Sequence, residues 1–345
     1  MSAAKKVVIA DYDFGDTETE RQIIEEAGFQ LIALQAKSEE ELIDHVRDCH
    51  AVISQYTRIG RQVIDSMRHC QVIARYGIGV DIIDVEAATA RHIQVTNVQD
   101  YCTDEVADHA SALLLCLARR LTDYNRATHQ GEWKWQSGRP IFRIRGRTMG
   151  IVSFGRIGRA IAARGKALGL HVIAYDPFVE SSAFEIAGVE SVSREEVFRR
   201  SDFLMMQVPM TRETWHFAGE PELRSMPRNG IVINTGRAQT VDNAALLKVL
   251  QEGHLAGAGL DDVEEEPAKR RNWSPHENPL FGLSNVIITP HTAYYSEESI
   301  QLARRTAAEE VVRVLEGKRP RYGVNSVSTN AMRSQNSSSS SHSGI

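Results

Sequence analysis

The stretch TMGIVSFGRIGRAIAARGKALGLHVIAYD, residues 148–176, decides the fold. An apolar run leads into the turn SFGRIG at 153–158, a helical pattern follows to about Leu168, and a second apolar run ends at Asp176. A strand, a tight turn, a helix and a second strand in this order predict a parallel βαβ unit. In such units the turn and the helix N-terminus hold the phosphates of a dinucleotide.

The residues of this turn predict how the dinucleotide is bound. Gly155 lets the backbone approach a pyrophosphate, and Gly158 lets the helix pack closely on the strand. Asp176, eighteen residues after Gly158, can accept hydrogen bonds from both adenosine ribose hydroxyls but repels a 2′-phosphate. Because no arginine immediately follows Asp176, the sequence predicts NAD rather than NADP. Ser153 stands where the dinucleotide fingerprint begins with glycine, and Asp176 taken alone equally fits an ordinary turn before proline.

Short apolar runs alternate with amphipathic stretches on both sides of this unit. The predicted strands before it are 7–10, 31–34, 51–54, 72–74 and 93–96, and those after it are 202–208, 231–234, 255–260 and 286–289. This alternation predicts an α/β protein with parallel sheets covered by helices. A long helix from about Thr103 to Leu121 is expected to connect two domains, and a helix from about Ser296 to Leu315 to return the chain to the first.

Composition excludes several classes of partner. The 345 residues carry a formal net charge of −5, which offers no basic face for nucleic acid or anionic lipid. The apolar run after the N-terminal lysines is too short for a signal sequence, and the run 112–118 is too short to span a membrane. The four cysteines show no paired spacing and the twelve histidines no ligand motif. We therefore expect a cytoplasmic protein without a metal site, and a disordered serine-rich tail at 327–345.

Three segments in the second half carry candidate catalytic residues: NTGRAQTVD at 234–242, LDDVEEEP at 260–267 and TPHTAYYSE at 289–297. Each follows a predicted strand, so each lies at the carboxyl edge of the sheet. Arg237 can hold a carboxylate and polarise a neighbouring keto group, and His291 can supply a proton. Glu266 can orient that histidine. Taken singly, they also fit a surface arginine, a structural histidine and a solvated acidic loop.

With these motifs the chain resembles the D-isomer-specific 2-hydroxyacid dehydrogenase family over about residues 5–325. RYGIGVDIID at 75–84 resembles the loop whose amides bind the substrate carboxylate, and QVPMTRET at 207–214 the loop that lines the cofactor. The resemblance implies catalytic Arg237, Glu266 and His291. It implies substrate-binding amides at Ile78 and Gly79, and cofactor contacts at Arg156, Ile157, Val208, Pro209, Thr235 and Asp261. Gln207 takes a place often held by histidine, and Ala238 one usually held by glycine.

The resemblance also implies an architecture of two Rossmann-like domains. An NAD-binding, doubly wound parallel sheet at 102–292 is inserted into a split, flavodoxin-like substrate domain made of 1–101 and 293–326. The site would lie in a cleft that closes by a hinge and expels water before the reaction. A homodimer is expected through the segment that holds Trp133 and Trp135, although both tryptophans could equally be core residues. The implied reaction moves a hydride between nicotinamide C4 and C2 of a 2-keto or 2-hydroxy acid.

Two other functions stay open at this point. HTAYYSEES at 291–299 resembles the carboxyl-terminal-binding-protein branch, which predicts an NAD-sensing regulatory dimer as the alternative. A formate dehydrogenase shares the fold, but would carry an amide in place of Glu266. The sequence does not choose between glyoxylate, hydroxypyruvate and 3-phosphohydroxypyruvate, although Tyr56, Arg58 and Tyr294 could make that choice.

Overall fold

The structure is a computed structural model that describes residues 4–267 and 272–327, and these form two compact α/β units. One unit consists of residues 4–101 together with 296–327, and the other of residues 102–295. The chain thus returns to the first unit at residue 296, three residues after the expected position 293. The predicted tail falls almost entirely on residues 328–345, which lie outside the described residues.

The first unit contains a five-stranded parallel sheet of order β2-β1-β3-β4-β5. Its strands are Lys6–Ile9 (β1), Gln30–Ala33 (β2), Ala51–Ser54 (β3), Val72–Arg75 (β4) and Gln94–Thr96 (β5). Its helices are Glu18–Glu26 (α1), Glu39–Val46 (α2), Arg61–Ser66 (α3), Val85–Ala90 (α4) and a return helix at Glu297–Leu315. All four residues of β3 are buried, as expected for a parallel strand covered on both faces. This is the flavodoxin-like strand order, so the predicted fold of this unit is confirmed.

A buried ion pair joins the return helix to α1. Nη2 of Arg304 lies 2.8 Å from Oε2 of Glu20, and the two side chains are 3% and 1% exposed. The hydroxyl of Tyr76, just after β4, donates to Oε1 of Glu20 over 3.0 Å. Burial raises the pKa of Tyr76, and the nearby Glu20 carboxylate raises it further. The helix that closes this unit is therefore fixed by polar contacts as well as by apolar packing.

The second unit contains a seven-stranded parallel sheet of order β12-β11-β10-β9-β6-β7-β8. Its strands are Thr148–Val152 (β6), His171–Tyr175 (β7), Glu190–Ser191 (β8), Phe203–Met206 (β9), Gly230–Asn234 (β10), Leu255–Leu260 (β11) and Val286–Ile288 (β12). Its helices are Thr103–Ala118 (α5), Leu121–His129 (α6), Arg156–Ala167 (α7), Ser181–Ala187 (α8), Arg194–Arg200 (α9), Glu220–Ser225 (α10) and Asn243–Gln251 (α11). Strand order reverses at β6, which pairs with β7 on one side and β9 on the other. Ligands of such sheets bind outside the strand ends at this switch point.

Helix boundaries follow the predictions in one place and depart from them in another. Asp242 caps α11 as predicted, since its Oδ1 accepts from the amides of Ala244 and Ala245. The predicted helix from about Thr103 to Leu121 is present as α5, but it ends three residues earlier, at Ala118, and Arg120 adopts φ +50 before α6 begins. Among the described residues, no helix combines the length and apolar character that crossing a membrane requires.

Candidate functional site

The turn between β6 and α7 has the geometry of a phosphate cradle. Gly155 is the N-cap of α7, and a Cβ built on it meets no atom within 4 Å. A Cβ on Gly158 would lie 2.3 Å from the carbonyl oxygen of Ser153, so only glycine permits this packing. The first amides of α7, which begins at Arg156, have no carbonyl acceptor inside the helix. The turn therefore fits the pyrophosphate of a dinucleotide.

Asp176 is held at the end of β7 by the same turn. Its Oδ2 accepts from the amide of Phe154 over 2.8 Å and faces the hydroxyl of Ser153 at 3.3 Å. Its Oδ1 accepts from the amide of Phe178 over 2.9 Å. Ser153 adopts φ +76, in the left-handed region that glycine favours at this first position of the turn. The carboxylate is thus oriented and half-buried, which fits a ribose diol and disfavours a 2′-phosphate.

The loop after β9 and the loop after β10 meet at the cofactor edge of the sheet. The side-chain amide of Gln207 donates to Oγ1 of Thr235 over 2.7 Å, and its backbone amide donates to the carbonyl of Val152 over 3.0 Å. Val208 is buried, whereas Pro209 is exposed. Gln207, which the resemblance marked as a departure, therefore fixes the hydroxyl of Thr235, a predicted cofactor contact.

Arg237 follows β10 in a turn that its neighbours hold. The side-chain amide of Asn234 donates to the carbonyl of Arg237 over 2.9 Å, and Oδ1 of Asn234 accepts from the amide of Gly236 over 3.0 Å. The hydroxyl of Thr240 donates to the same Arg237 carbonyl over 2.7 Å. The backbone of Arg237 is fixed, and its side chain is half-buried. This arrangement presents a guanidinium at a defined place on the strand-end edge.

Asp261, directly after β11, joins its own loop to the loop after β12. It is 4% exposed and accepts from the hydroxyl of Thr289 over 2.6 Å, the amide of Thr292 over 2.9 Å and the amide of Ala293 over 2.8 Å. The ring of His109, on α5, lies 3.0 Å from the Thr289 hydroxyl. Beyond the cofactor role that the resemblance implies, Asp261 thus holds the loop that carries the candidate acid.

His291 is fixed through both its backbone and its ring. Its amide donates to the carbonyl of Asp261 over 2.6 Å, and it adopts φ +53. Nδ1 of the ring lies 3.0 Å from Oδ2 of Asp262, a residue that the sequence analysis did not single out. Glu266 lies further along the same loop, half-buried, with φ +47. Because β10, β11 and β12 are neighbours, the structure brings Arg237, this acidic loop and His291 to one edge.

Ile78 and Gly79 lie in the first unit, on the loop after β4. The side chain of Asn97 donates to the carbonyl of Ile78 over 2.7 Å, and the amide of Val98 donates to the carbonyl of Gly77 over 3.0 Å. Within residues 4–267 and 272–327, the amides of Ile78 and Gly79 have no acceptor. Two successive amides of this kind can bind an anion.

One set of side chains in the described part of the chain could offer three metal ligands, namely His216, Asp242 and Glu264. Nε2 of His216 lies 3.0 Å from Oε1 of Glu264 in an ion pair that lacks hydrogen-bond geometry, and Nδ1 lies 3.6 Å from Oδ2 of Asp242. Both carboxylates also accept amides at the start of α11. These contacts account for the group without a metal, because they connect the loops that carry His216 and Glu264 to the start of α11.

Comparison with known proteins gives concordant matches. The model of the NAD binding domain of D-isomer specific 2-hydroxyacid dehydrogenases matches residues 111–293. A glyoxylate reductase from Korarchaeum cryptofilum is 39% identical over 292 residues, which cover 84% of this chain and 86% of that protein. A D-3-phosphoglycerate dehydrogenase from Methanocaldococcus jannaschii is 36% identical over 306 residues, or 88% of this chain and 57% of that protein. The crystal structure of the TT0316 protein from Thermus thermophilus has a TM-score of 0.82 at 31% identity, and covers 93% of this chain and 100% of that chain.

Proposed function

The chain belongs to the D-isomer specific 2-hydroxyacid dehydrogenase family, and on that premise we propose that it reduces a small 2-keto acid with NADH. The match to the NAD binding domain of this family confirms two predictions made from the sequence, namely the family and the NAD cofactor. The observation that carries the proposal is the common edge of β10, β11 and β12, which presents Arg237, a carboxylate loop and His291. When bound, nicotinamide supplies a hydride to the keto carbon in reduction and accepts it in oxidation.

The side chains at this edge are proposed to transfer the proton and to bind the substrate. His291 gives a proton to the keto oxygen as the carbon is reduced, and takes it back in the oxidation. Arg237 binds the substrate carboxylate and stabilises negative charge that develops on the keto oxygen, because its planar fork offers several donors. Glu266 adds a carboxylate to the acidic loop that lies between Arg237 and His291. From the resemblance alone, we propose that the amides of Ile78 and Gly79 also bind a carboxylate.

We place glyoxylate first among the substrates. The chain matches 86% of the length of a glyoxylate reductase, but only 57% of that of the phosphoglycerate dehydrogenase. The reductase and the dehydrogenase reported above are named as enzymes, so they give the regulatory alternative no support. The test is a panel of glyoxylate, hydroxypyruvate, pyruvate and 3-phosphohydroxypyruvate with NADH, followed by the absorbance of the reduced cofactor. A wild-type protein that reduces none of them faster than His291→Ala would overturn the proposal.

A homodimer is the proposed assembly. Trp133 and Trp135 are 88% and 65% exposed, and Phe142 is 46% exposed in the same segment. Three large apolar side chains in an exposed segment support an interface, because solvated tryptophan surface is costly. Sedimentation should give a dimer mass for the wild type and a monomer mass for Trp133→Ser/Trp135→Ser. Phe178→Ser, which changes a residue 95% exposed elsewhere in the unit, serves as the control and should remain a dimer.

We also propose that the protein acts in the cytoplasm, without a nucleic acid or membrane partner. The four cysteines are free thiols, three of them buried, which supports a reducing compartment. The net charge of −5 supports the expected lack of polyanionic partners. Cell fractionation with detection of the tagged protein is the direct test, and recovery in the membrane pellet would contradict the proposal.

A further inference from the structure

The carboxylate of Asp262 lies 3.0 Å from the ring of His291. We propose that Asp262 is the positioning residue of His291: it holds Nδ1, so that Nε2 is the atom that exchanges the proton with the substrate. The inference rests on the proposed function, because it assigns a role within the same reaction. It differs from the sequence interpretation, in which Glu266 alone orients the histidine.

Both oxygens of Asp262 have defined partners. Oδ1 accepts from the amide of Val263 over 2.8 Å, and Oδ2 faces Nδ1 of His291. The two side chains are 15% and 25% exposed, so water screens the contact only in part. A carboxylate that one backbone amide already orients loses little conformational freedom when it binds the ring.

The backbone of His291 is fixed by the preceding aspartate. Its amide donates to the carbonyl of Asp261 over 2.6 Å, and the side chain of Asp261 accepts from the amides of Thr292 and Ala293. The consecutive residues Asp261 and Asp262 therefore have different roles in positioning His291. Asp261 holds the loop backbone, and Asp262 sets the rotation of the ring and the position of its hydrogen.

The chemistry follows from what a carboxylate can accept. An ionised carboxylate has no hydrogen to donate, so Nδ1 of His291 must carry the hydrogen in this contact. In reduction the proton leaves Nε2 for the keto oxygen, and the ring becomes neutral while it keeps the hydrogen on Nδ1. In oxidation the proton returns from the hydroxyl to Nε2. With Nδ1 bound to Asp262, Nε2 is the ring nitrogen that is left to face the substrate.

The test reads the position of the hydrogen directly. Protein labelled with ¹⁵N at histidine is compared by NMR for wild type, Asp262→Ala, Asp262→Asn and Glu266→Gln, and the His291 signals are assigned as those absent from His291→Ala. In the neutral ring, the wild type and Glu266→Gln should both carry the hydrogen on Nδ1. Asp262→Ala should shift the population toward Nε2–H, the form usual in water. Glu265→Gln, which loses one charge from the same loop but keeps an acceptor for Asn278, is the matched control.

The kinetic arm uses Asp262→Asn, which keeps the shape of the side chain. Its kcat for glyoxylate should fall by about 10-fold or more, while the KM for NADH stays within about twofold, because the defect lies in proton transfer. If Asp262→Ala keeps the wild-type tautomer, or Asp262→Asn the wild-type kcat, the assignment is wrong and the proposed reaction stands. If the wild type reduces no keto acid, the proposed function fails, and the NMR spectra still decide whether Asp262 sets the tautomer.

Discussion

The hydroxyl of Ser153 lies 3.3 Å from Oδ2 of Asp176, and so joins the phosphate turn to the residue predicted to bind the ribose. Ser153 holds this place with φ +76, a conformation that side chains other than glycine rarely adopt. The amide of Phe154 donates to the same oxygen over 2.8 Å. A departure from the dinucleotide fingerprint thus supplies a side-chain contact that glycine could not make.

This contact predicts an order of stability among variants of Ser153. Ser153→Ala keeps the unfavourable φ and loses the hydroxyl, whereas Ser153→Gly loses the hydroxyl but relieves the backbone by about 1 kcal/mol. We expect Ser153→Gly to stay within about 1 kcal/mol of wild type, and Ser153→Ala to be the less stable variant. Urea denaturation measures both free energies of unfolding. A Ser153→Ala protein as stable as Ser153→Gly would contradict the role of φ.

Cofactor choice should depend on the charge of Asp176. Asp176→Asn keeps the shape of the side chain and one acceptor oxygen, so it loses the hydrogen bond from either Phe154 or Phe178, and it removes the charge that repels a 2′-phosphate. We expect the ratio of kcat/KM for NADH to kcat/KM for NADPH to fall by about 10-fold or more, which corresponds to about 1.4 kcal/mol. Steady-state assays with both cofactors measure the ratio. A wild-type preference for NADPH would show that Asp176 does not bind the ribose as proposed.

Loss of the candidate acid should abolish most turnover. His291→Ala should lower kcat by about 10²–10⁴-fold, the usual contribution of a general acid. His276→Ala, which changes an exposed histidine of the same unit, is the control and should retain wild-type kcat. Glyoxylate reduction at saturating NADH measures both. Equal rates in wild type and His291→Ala would remove His291 from the mechanism.

Recognition of the substrate carboxylate should require the planar guanidinium of Arg237, with its paired N–H donors. Arg237→Lys keeps the charge but loses paired donors, so we expect kcat/KM for a keto acid to fall by about 10-fold or more. The loss should largely disappear for the uncharged amide of the same acid, which the wild type already reduces poorly. Both substrates are assayed with both proteins. An equal loss on acid and amide would mean that Arg237 positions the backbone or the cofactor instead.

The buried pair in the first unit predicts a large effect on stability. Arg304→Met leaves the Glu20 carboxylate buried without its partner, which should cost about 3–5 kcal/mol. Arg21→Met removes one half of the exposed pair with Glu25 and should cost less than about 1 kcal/mol. The double variant Arg304→Met/Glu20→Leu should recover much of the loss, because neither buried charge of the pair remains. Urea denaturation measures the free energy of unfolding of each variant and of the wild type. If Arg304→Met is as stable as the double variant, the argument is refuted.

Apolar periodicity and the turn chemistry of 153–158 were sufficient to predict both parallel sheets and the strand-end edge at which the candidate residues lie. They did not predict β8, because Glu190 and Ser191 are exposed and show no apolar pattern. They also missed the break at Arg120, since a positive φ in arginine has no signature in composition. Asp262 escaped notice because two consecutive acids after a strand equally fit a solvated loop. Its contact depends on the pairing of β11 with β12 and on φ +53 at His291, which only the folded chain provides.

Glu20 and Arg304, although 284 positions apart, neutralise each other in one core. On the ribosome, the first hundred residues emerge long before the helix that compensates Glu20. Residues 102–295 form their own sheet and hold their own hydrophobic core, so this middle segment can reach its native state first. The N-terminal unit can complete its core only after the helix that carries Arg304 has been synthesised. A chain that is truncated before residue 304 therefore lacks the partner of Glu20. Its N-terminal unit cannot complete folding and should be degraded by quality-control proteases.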